Sequence, residues 1–290
     1  MIFDLSDIYS NLQGYEELTR LAKETAYLRH KQLKINFSSM TQFDANMAAS
    51  LGAILVRVEE RNNTIKIINV PSSIEHILRK NNFLKQYKYQ PMKDETQTVI
   101  PFQRLMQSEG NLFADYLQKH LKGKSIPHMS EGLSNVFKQK IFEVFQNSVI
   151  HSDSKLGIFV CGQFFVPQQK LDLTIADAGI GIRDNVRRYY NDDKITSVPA
   201  IRWALREGNT TKTGQQPGGL GLKLLQDFTR LNKGRIQIVS RFGFYELNGN
   251  NESFVKMKGD YHGTVVNIEI NTADTSSYRL KSEVSEKNIF

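Results

Sequence analysis

The sequence predicts two folding units, a small α/β unit followed by an α+β sandwich whose sheet is mostly antiparallel. The first prediction depends on a strand, helix, strand, helix order between residues 33 and 80. The second depends on two adjacent strands, 156–166 and 170–179, which the short Pro-Gln-Gln segment joins as a hairpin. Helices at 131–152, 197–208 and 218–234 and three or four further strands predict helices on one side of this sheet.

The elements of the first half follow from their apolar periodicity. Residues 33–37 alternate apolar and polar side chains, and residues 64–70 are β-branched, so both are predicted strands. Residues 43–60 show helical spacing with Asp44 near the N-cap, and residues 71–80 form a short helix that begins with proline. This order predicts a parallel strand pair. Neither strand is followed by a glycine-rich phosphate loop, so we expect no nucleotide site here.

The boundary between the units is predicted near residues 125–130. Residues 98–102 are predicted as an edge strand because their proline fits an edge better than a sheet centre. Residues 111–123 are predicted to form a connecting helix that ends at Gly123. The predicted organisation is 1–103 for the α/β unit, 104–125 for the connector, 126–272 for the α+β unit and 273–290 for a polar, loosely held tail.

The composition predicts a globular protein, because 40% of the 290 residues are hydrophobic and 23% are charged. The single cysteine, Cys161, excludes an internal disulfide and a CxxC metal site. No apolar segment reaches the roughly 20 residues of a membrane helix, and the acidic N-terminus does not resemble a signal peptide. We therefore expect a cytoplasmic protein without membrane contact. The net charge of +8 leaves a nucleic-acid partner open.

Several polar and glycine-rich features of the second half are candidates for chemistry. Glu143 and Asn147 lie four residues apart and therefore on one face of the long helix. The segment Asp-Ala-Gly-Ile-Gly ends a predicted strand, and the Thr- and Gly-rich residues 209–218 lead into a helix start, where backbone amides bind anions. The last strand opens with Gly263 and Thr264. Each feature alone has a structural explanation. Glu143 and Asn147 could be solvent-exposed helix residues, Asp177 could cap the next turn, and the glycines at 218–221 could mark the start of a helix.

In this order the features resemble the GHKL superfamily, the ATP-binding domains of gyrases, heat-shock chaperones, mismatch-repair proteins and histidine kinases, which share the Bergerat fold. Residues 143–147 match the N-box as Glu-x-x-x-Asn, residues 177–181 match the first glycine box and residues 218–222 match the second. The resemblance covers residues 126–270 and implies that the second unit is a two-layer α/β sandwich of this fold.

The resemblance implies a site for ATP and Mg²⁺. Asp177 is expected to accept a hydrogen bond from the adenine amino group, and Thr264 is expected to assist through a water molecule. Gly179 and Gly181 are expected to make room for the base. Asn147 is expected to bind a Mg²⁺ ion that bridges the phosphates.

The resemblance also implies a mobile lid at residues 209–218. Thr211 and Lys212 are the candidate nucleotide contacts within this lid. The backbone amides around Gly218, Gly219 and Gly221 are expected to bind phosphate.

Glu143 is the candidate catalytic residue. A carboxylate there can act as a general base on water in an ATPase or on a hydroxyl in a serine kinase, an effect of about 10²–10⁴-fold. The segment from Glu143 through Asn147 to His151 most resembles the anti-sigma-factor serine kinases. No H-[ED]-x-x-[NT] box of the histidine kinases is found, since His30 is followed by Lys-Gln-Leu and His76 by Ile-Leu-Arg.

Residues 33–85 resemble a STAS domain, the fold of anti-sigma-factor antagonists. Those proteins carry Asp-Ser-Ser-Gly where this chain has Asp44, Ala45, Asn46 and Met47, so the phosphorylatable serine is missing. The resemblance therefore implies a fixed docking or dimerisation surface in place of a phosphoserine switch. A generic α/β unit is the alternative.

Together these features predict an Mg-dependent ATP-binding protein that acts as a nucleotide-gated signalling switch or a protein serine kinase. A protein partner is expected at the STAS-like unit, and a homodimer is left open. Two alternatives remain: a slow ATPase whose hydrolysis resets the lid and dimer, and a nucleic-acid-associated ATP switch, which the net charge motivates.

Overall fold

The computed structural model describes residues 1–152, 155–211 and 220–283. Residues 1–87, here called the N-terminal unit, contain a parallel sheet of β1 (Ile2–Asp4), β2 (Gln32–Asn36) and β3 (Thr64–Ile68) in that order. Their helices are α1 (Leu12–Thr25), α2 (Ala48–Glu59) and α3 (Ser72–Lys80). The predicted order of β2, α2, β3 and α3 and the parallel pairing of the two strands are confirmed.

The second half is an α+β structure built on five antiparallel strands. In chain order its helices and strands are β4 (Val99–Leu105), α4 (Gly110–Leu121), β5 (His128–Met129), α5 (Glu131–His151), β6 (Ile158–Phe165), β7 (Lys170–Asp177), α6 (Ile182–Tyr190), α7 (Ser197–Ala204), α8 (Leu220–Asn232), β8 (Arg235–Asn248), β9 (Asn251–Asn271) and β10 (Ser277–Tyr278). The large sheet has the strand order β4-β6-β7-β9-β8, which puts β7 at its centre. The predicted β6–β7 hairpin is confirmed.

Helices α4, α5 and α8 pack against one face of the large sheet. Ile158 and Val160 of β6 belong to this apolar layer, and Phe164 packs against it. On the helix side, the rings of Phe113 and Phe145 stack with their centroids 4.4 Å apart. Such an aromatic pair contributes about 0.5–1.5 kcal/mol beyond its buried area. The packing holds the C-terminal half of α5 close to the ends of the central strands.

The N-terminal unit covers the opposite face of the large sheet. Phe159 and Cys161, which alternate with the helix-facing residues of β6, belong to the apolar cluster that contains α2. Gly52 of α2 allows the close approach, since a Cβ atom there would lie 2.8 Å from the Phe102 ring and 3.3 Å from Phe159. The two halves therefore share one continuous apolar interface.

A buried polar network lies inside this interface. The Asn46 carboxamide donates hydrogen bonds to the Ser10 and Thr174 hydroxyls at 2.9 and 3.0 Å. The Asn267 carboxamide donates to Asp172 at 2.8 Å, and its oxygen accepts a hydrogen bond from Thr174 at 2.7 Å. Leaving such a group unpaired in a buried position costs about 1–3 kcal/mol. The network therefore favours a single docking geometry of α2 on the sheet.

Residues 99–105 differ from the sequence prediction in their sheet. They form an edge strand, but β4 pairs with β6 of the large sheet and not with the three-stranded sheet of the N-terminal unit. The Phe102 ring packs between Phe83 of the N-terminal unit and Phe159 of β6, at centroid distances of 5.2 and 6.2 Å. Burial from both sides thus places this strand at the interface.

Two further predictions differ toward the C-terminus. The three or four predicted strands are two long ones, β8 and β9, which pair along their length and turn at Gly249 with a φ of 55°. The predicted loose tail contains β10, which pairs with β5, and the Tyr278 ring packs against Phe228 at a centroid distance of 5.4 Å. In the part of the chain that is described, no helix combines the length and apolar composition needed to cross a membrane.

Candidate functional site

Asp177 is the last residue of the central strand β7, and its side chain is only 2% exposed. Its Oδ1 atom accepts hydrogen bonds from the backbone amides of Gly179 at 2.8 Å and Thr264 at 3.3 Å. Burial raises the pKa of this carboxyl to about 7, although both amides, the nearby Ser148 hydroxyl and the charge of Arg57 lower it. The site therefore has a buried carboxyl group that changes its charge near neutral pH.

The glycines around Asp177 lie where a side chain would collide with backbone. A Cβ atom at Gly179 would lie 2.0 Å from the Ser152 carbonyl oxygen at the end of α5, and the Ile180 amide donates to the same oxygen at 2.9 Å. A Cβ atom at Gly263, whose φ is 129°, would lie 2.0 Å from the Asp177 carbonyl oxygen. These contacts bring α5, β7 and β9 together at one end of the sheet.

Gly181 connects the loop after β7 with α6. Its φ is 82°, a backbone conformation that glycine adopts without strain. The next amide, that of Ile182, donates to the Ser240 hydroxyl at 2.8 Å. Ser240 also lies within hydrogen-bond distance of the Gly263 carbonyl and the Thr264 hydroxyl, at 3.0 and 3.2 Å. One serine of β8 thus connects α6 with the start of the final segment of β9.

Ser240 and Arg57 belong to the site although the sequence did not identify them. Ser240 is fully buried and occupies the same strand phase as Ile236 and Ile238, which face the helices. A serine at an otherwise apolar, helix-facing position of a strand was the feature that could have identified Ser240 from the sequence. Arg57 on α2 donates from Nη1 to the Ala178 carbonyl oxygen at 2.5 Å across 121 residues of sequence. No local pattern indicated that contact.

The predicted polar residues of α5 lie in the C-terminal half of the helix. Glu143 is ion-paired with Lys140 on its own helix, with Nζ and Oε1 2.6 Å apart. Asn147 is half-buried one turn further along the helix. At the C-terminal end of the helix, His151 Nδ1 lies 3.2 Å from the hydroxyl of Thr211. The carbonyl of His151 accepts a hydrogen bond from Asn185 of α6 at 2.7 Å. Thr211, which lies within the predicted lid at residues 209–218, therefore contacts this helix.

Part of the predicted phosphate site lies outside the described residues. Lys212, Gly218 and Gly219 belong to the segment 212–219, for which no position is described. Gly221 lies in the first turn of α8. The structure thus brings together Asp177, Gly179, Gly181 and Thr264, with α5 beside them. The second glycine box remains a prediction from the sequence, because most of it lies outside the described residues.

Two surface grooves of the described part lie away from Asp177. One, of about 360 Å³, runs between α4 and α5 and includes Leu117, Lys138 and Phe142. The other, of about 270 Å³, lies between α6 and α7 beside Tyr190 and Trp203. Neither groove contains a residue of the candidate site. The assignment of the site therefore depends on the buried carboxylate and the glycine contacts.

The described residues contain no group of three or more His, Cys, Asp or Glu side chains that could hold a metal ion by themselves. Mg²⁺ usually keeps several water molecules and is bound through one or two carboxylates together with substrate phosphates. The Asn147 carboxamide makes no hydrogen bond within the described ranges, so its oxygen is available for this kind of ligation. Asn147 would therefore supply at most one oxygen ligand, and the remaining ligands of such an ion would come from phosphates and water.

Compared with known proteins, the chain matches no protein-family model, and a search of curated proteins also found no match.

Proposed function

We propose that the chain binds ATP with Mg²⁺ in a Bergerat-type site centred on Asp177. The observation that carries this proposal is a buried carboxylate at the end of the central strand, surrounded by glycines without room for a Cβ atom. The described residues form no ion pair with Asp177, and both backbone donors bind its Oδ1 atom. The adenine amino group would add one more donor to this buried carboxylate, and additional hydrogen bonds stabilise its charged form.

The neighbouring residues have roles that agree with this proposal. Thr264 binds Asp177 through its amide, and its hydroxyl is held by Ser240. Asn147 would hold the magnesium ion, which when bound neutralises phosphate charge. Thr211 is a proposed nucleotide contact, and its hydroxyl lies beside His151 at the end of α5.

Glu143 is the proposed general base of either a protein serine kinase or a slow ATPase. Its ion pair with Lys140 holds the carboxylate on the surface of α5. The side chains are 30% and 16% exposed, so the pair can reorganise when a hydroxyl or water approaches. A kinase and an ATPase use the same base and differ in the acceptor. We therefore propose a nucleotide-gated switch whose output is decided by a protein partner.

The N-terminal unit is proposed to be a STAS-like module that is docked on its own ATP-binding unit. The segment at the position of the antagonist phosphoserine, Ala45–Met47, is buried at the interface with the large sheet. The Ala45 amide donates to the Gln163 side chain of β6 at 3.0 Å. A protein partner would therefore bind another surface of the unit.

The test is to measure Mg-ATP affinity by calorimetry and phosphate release in the same samples of the purified chain. Glu143→Ala should bind ATP normally and lose turnover by about 10²-fold or more. Glu131→Ala is the matched control, because Glu131 is exposed on the first turn of the same helix. Asp177→Asn should lose about one to two decades of affinity, since a hydrogen bond to a charged group contributes about 1.5–3 kcal/mol.

The outcomes separate the candidate functions. Absence of ATP binding by the wild-type chain would refute the nucleotide site. Unchanged binding by Asp177→Asn would refute the adenine assignment, and full turnover in Glu143→Ala would refute the general base. Release of phosphate without any partner protein would favour the slow ATPase, whereas phosphate transfer to an added partner would favour the kinase.

A further inference from the structure

Arg57 connects the N-terminal unit directly to the loop that follows Asp177. It lies in the last turn of α2, and its Nη1 atom donates to the Ala178 carbonyl oxygen at 2.5 Å. Ala178 is 2% exposed, so water does not compete freely for this oxygen. A hydrogen bond from a charged donor is about twice as strong as a neutral one. The contact therefore holds the backbone of the loop at a defined position.

The bonded carbonyl belongs to the same peptide group as the amide that binds Asp177. The carbonyl of Ala178 and the N–H of Gly179 lie on opposite sides of one planar trans peptide. Arg57 binds the carbonyl end, while the N–H end donates to Asp177 Oδ1 at 2.8 Å. Fixing one end of a planar group fixes the direction of the other. The orientation of the Asp177 carboxylate thus depends on a residue of the N-terminal unit.

The position of Arg57 depends in turn on how α2 is docked. The Tyr261 hydroxyl of β9 donates to the Ser50 carbonyl on α2 at 3.1 Å. At the start of the helix, Asn46 donates to Thr174 of β7 at 3.0 Å. Both bonds join the helix segment to strands of the large sheet, so undocking of α2 would break them. The helix therefore carries Arg57 to Ala178 only when the unit is fully docked.

We propose that Arg57 is a positioning residue through which docking of the N-terminal unit raises the ATP affinity of the Asp177 site. This inference rests on the proposed nucleotide function. By thermodynamic reciprocity, ATP binding strengthens the docking of the N-terminal unit by the same factor. A partner protein that binds the N-terminal unit and displaces it would lower the ATP affinity without contacting the nucleotide.

The test compares Arg57→Met with Arg61→Met. Arg61 follows one turn later, and its guanidinium donates to the Thr25 carbonyl at 3.1 Å within the N-terminal unit. Two ligands are titrated by calorimetry: Mg-ATP and Mg-tripolyphosphate, which has no base to contact Asp177. We expect Arg57→Met to weaken ATP by about fivefold or more, the usual size of a coupling between two sites. Its tripolyphosphate affinity and the behaviour of Arg61→Met should stay close to those of the wild type.

Each result supports or overturns the inference. Equal ATP affinity of wild type and Arg57→Met would overturn it, and so would parallel loss of ATP and tripolyphosphate, which indicates general damage to the site. If Arg57→Met does not fold, Arg57→Gln keeps a polar side chain that is too short for the contact and carries the same expectation. A wild-type chain that binds no ATP would instead refute the proposed function, so the two failures are distinguishable.

Discussion

The ATP affinity of this protein should depend on pH through Asp177. Burial raises the pKa of this carboxyl from the ordinary value of 3.8 to about 7. In the proposed site the adenine amino group would donate a hydrogen bond to Asp177, which requires the ionised carboxylate. With a pKa of about 7, the ionised fraction falls from about 0.9 at pH 8 to about 0.1 at pH 6. ATP should consequently bind about tenfold more weakly at pH 6 than at pH 8.

The same raised pKa makes the stability of the ligand-free protein depend on pH in the opposite direction. The folded carboxyl holds its proton more tightly than the unfolded one, so its contribution is fully present below pH 3.8 and is lost as the pH rises through about 7. A rise of about three pKa units corresponds to about 4 kcal/mol. In Asp177→Asn the free energy of unfolding should lose this part of its pH dependence.

The assay is a series of ATP titrations between pH 6 and pH 8 on the wild type, Asp177→Asn and Asp172→Asn. Asp172 is the matched control, because it is also buried on β7 and its pKa is raised to about 6, mainly by burial and by Glu269. It lies about 17 Å along the strand from Asp177. Titration of the ATP phosphates affects all three proteins equally. The same pH dependence in the wild type and Asp177→Asn would refute the reasoning.

Two further substitutions test the contacts that assemble the site. Gly179→Ala should lower the free energy of unfolding by about 1–3 kcal/mol and weaken ATP, because its Cβ atom would lie 2.0 Å from the Ser152 carbonyl. Thermal unfolding checks this. Gly110→Ala is the control, because its Cβ atom would lie 3.5 Å from its nearest neighbour. Equal stability of the two variants would contradict the prediction. Asn46→Ala should lower stability by about 1–3 kcal/mol, since it leaves buried interface groups unpaired. Urea unfolding checks this, with Asn135→Ala at an exposed position of α5 as the control. The unfolding midpoint should fall in Asn46→Ala and stay unchanged in the control. A wild-type midpoint for Asn46→Ala would exclude a role for the network.

Local pattern was sufficient for most of the elements around the site. Two strand-like segments joined by Pro-Gln-Gln predicted the hairpin of β6 and β7, and the spacing of Glu143 and Asn147 predicted one face of a long helix; both are confirmed. Asp177 was expected near the end of its strand, and it is the last residue of β7. These features depend on neighbours within a few residues, which the sequence displays directly.

Long-range pairing limited the prediction elsewhere. Residues 98–102 were predicted as an edge strand of the N-terminal unit. The structure has an edge strand there, β4, but it pairs with β6 of the large sheet. The pattern of a short strand does not specify which sheet it joins, since side-chain packing selects the partner. Strand β1 and helices α1 and α6 have no counterpart in the predictions. Ser240 and Arg57 entered the site through partners 58 and 121 residues away.

The sequence by itself determined the α+β class and the hairpin and helix beside the candidate site, and it singled out Asp177 and the neighbouring glycines as candidates. These properties follow from side-chain periodicity and from conformations that only glycine adopts without strain. Only the tertiary structure decided that the N-terminal unit covers the second face of the large sheet and that Arg57 binds the loop behind Asp177. The reason is physical: burial and hydrogen bonding between distant segments select one docking geometry, and no local pattern encodes which distant surface will be the partner.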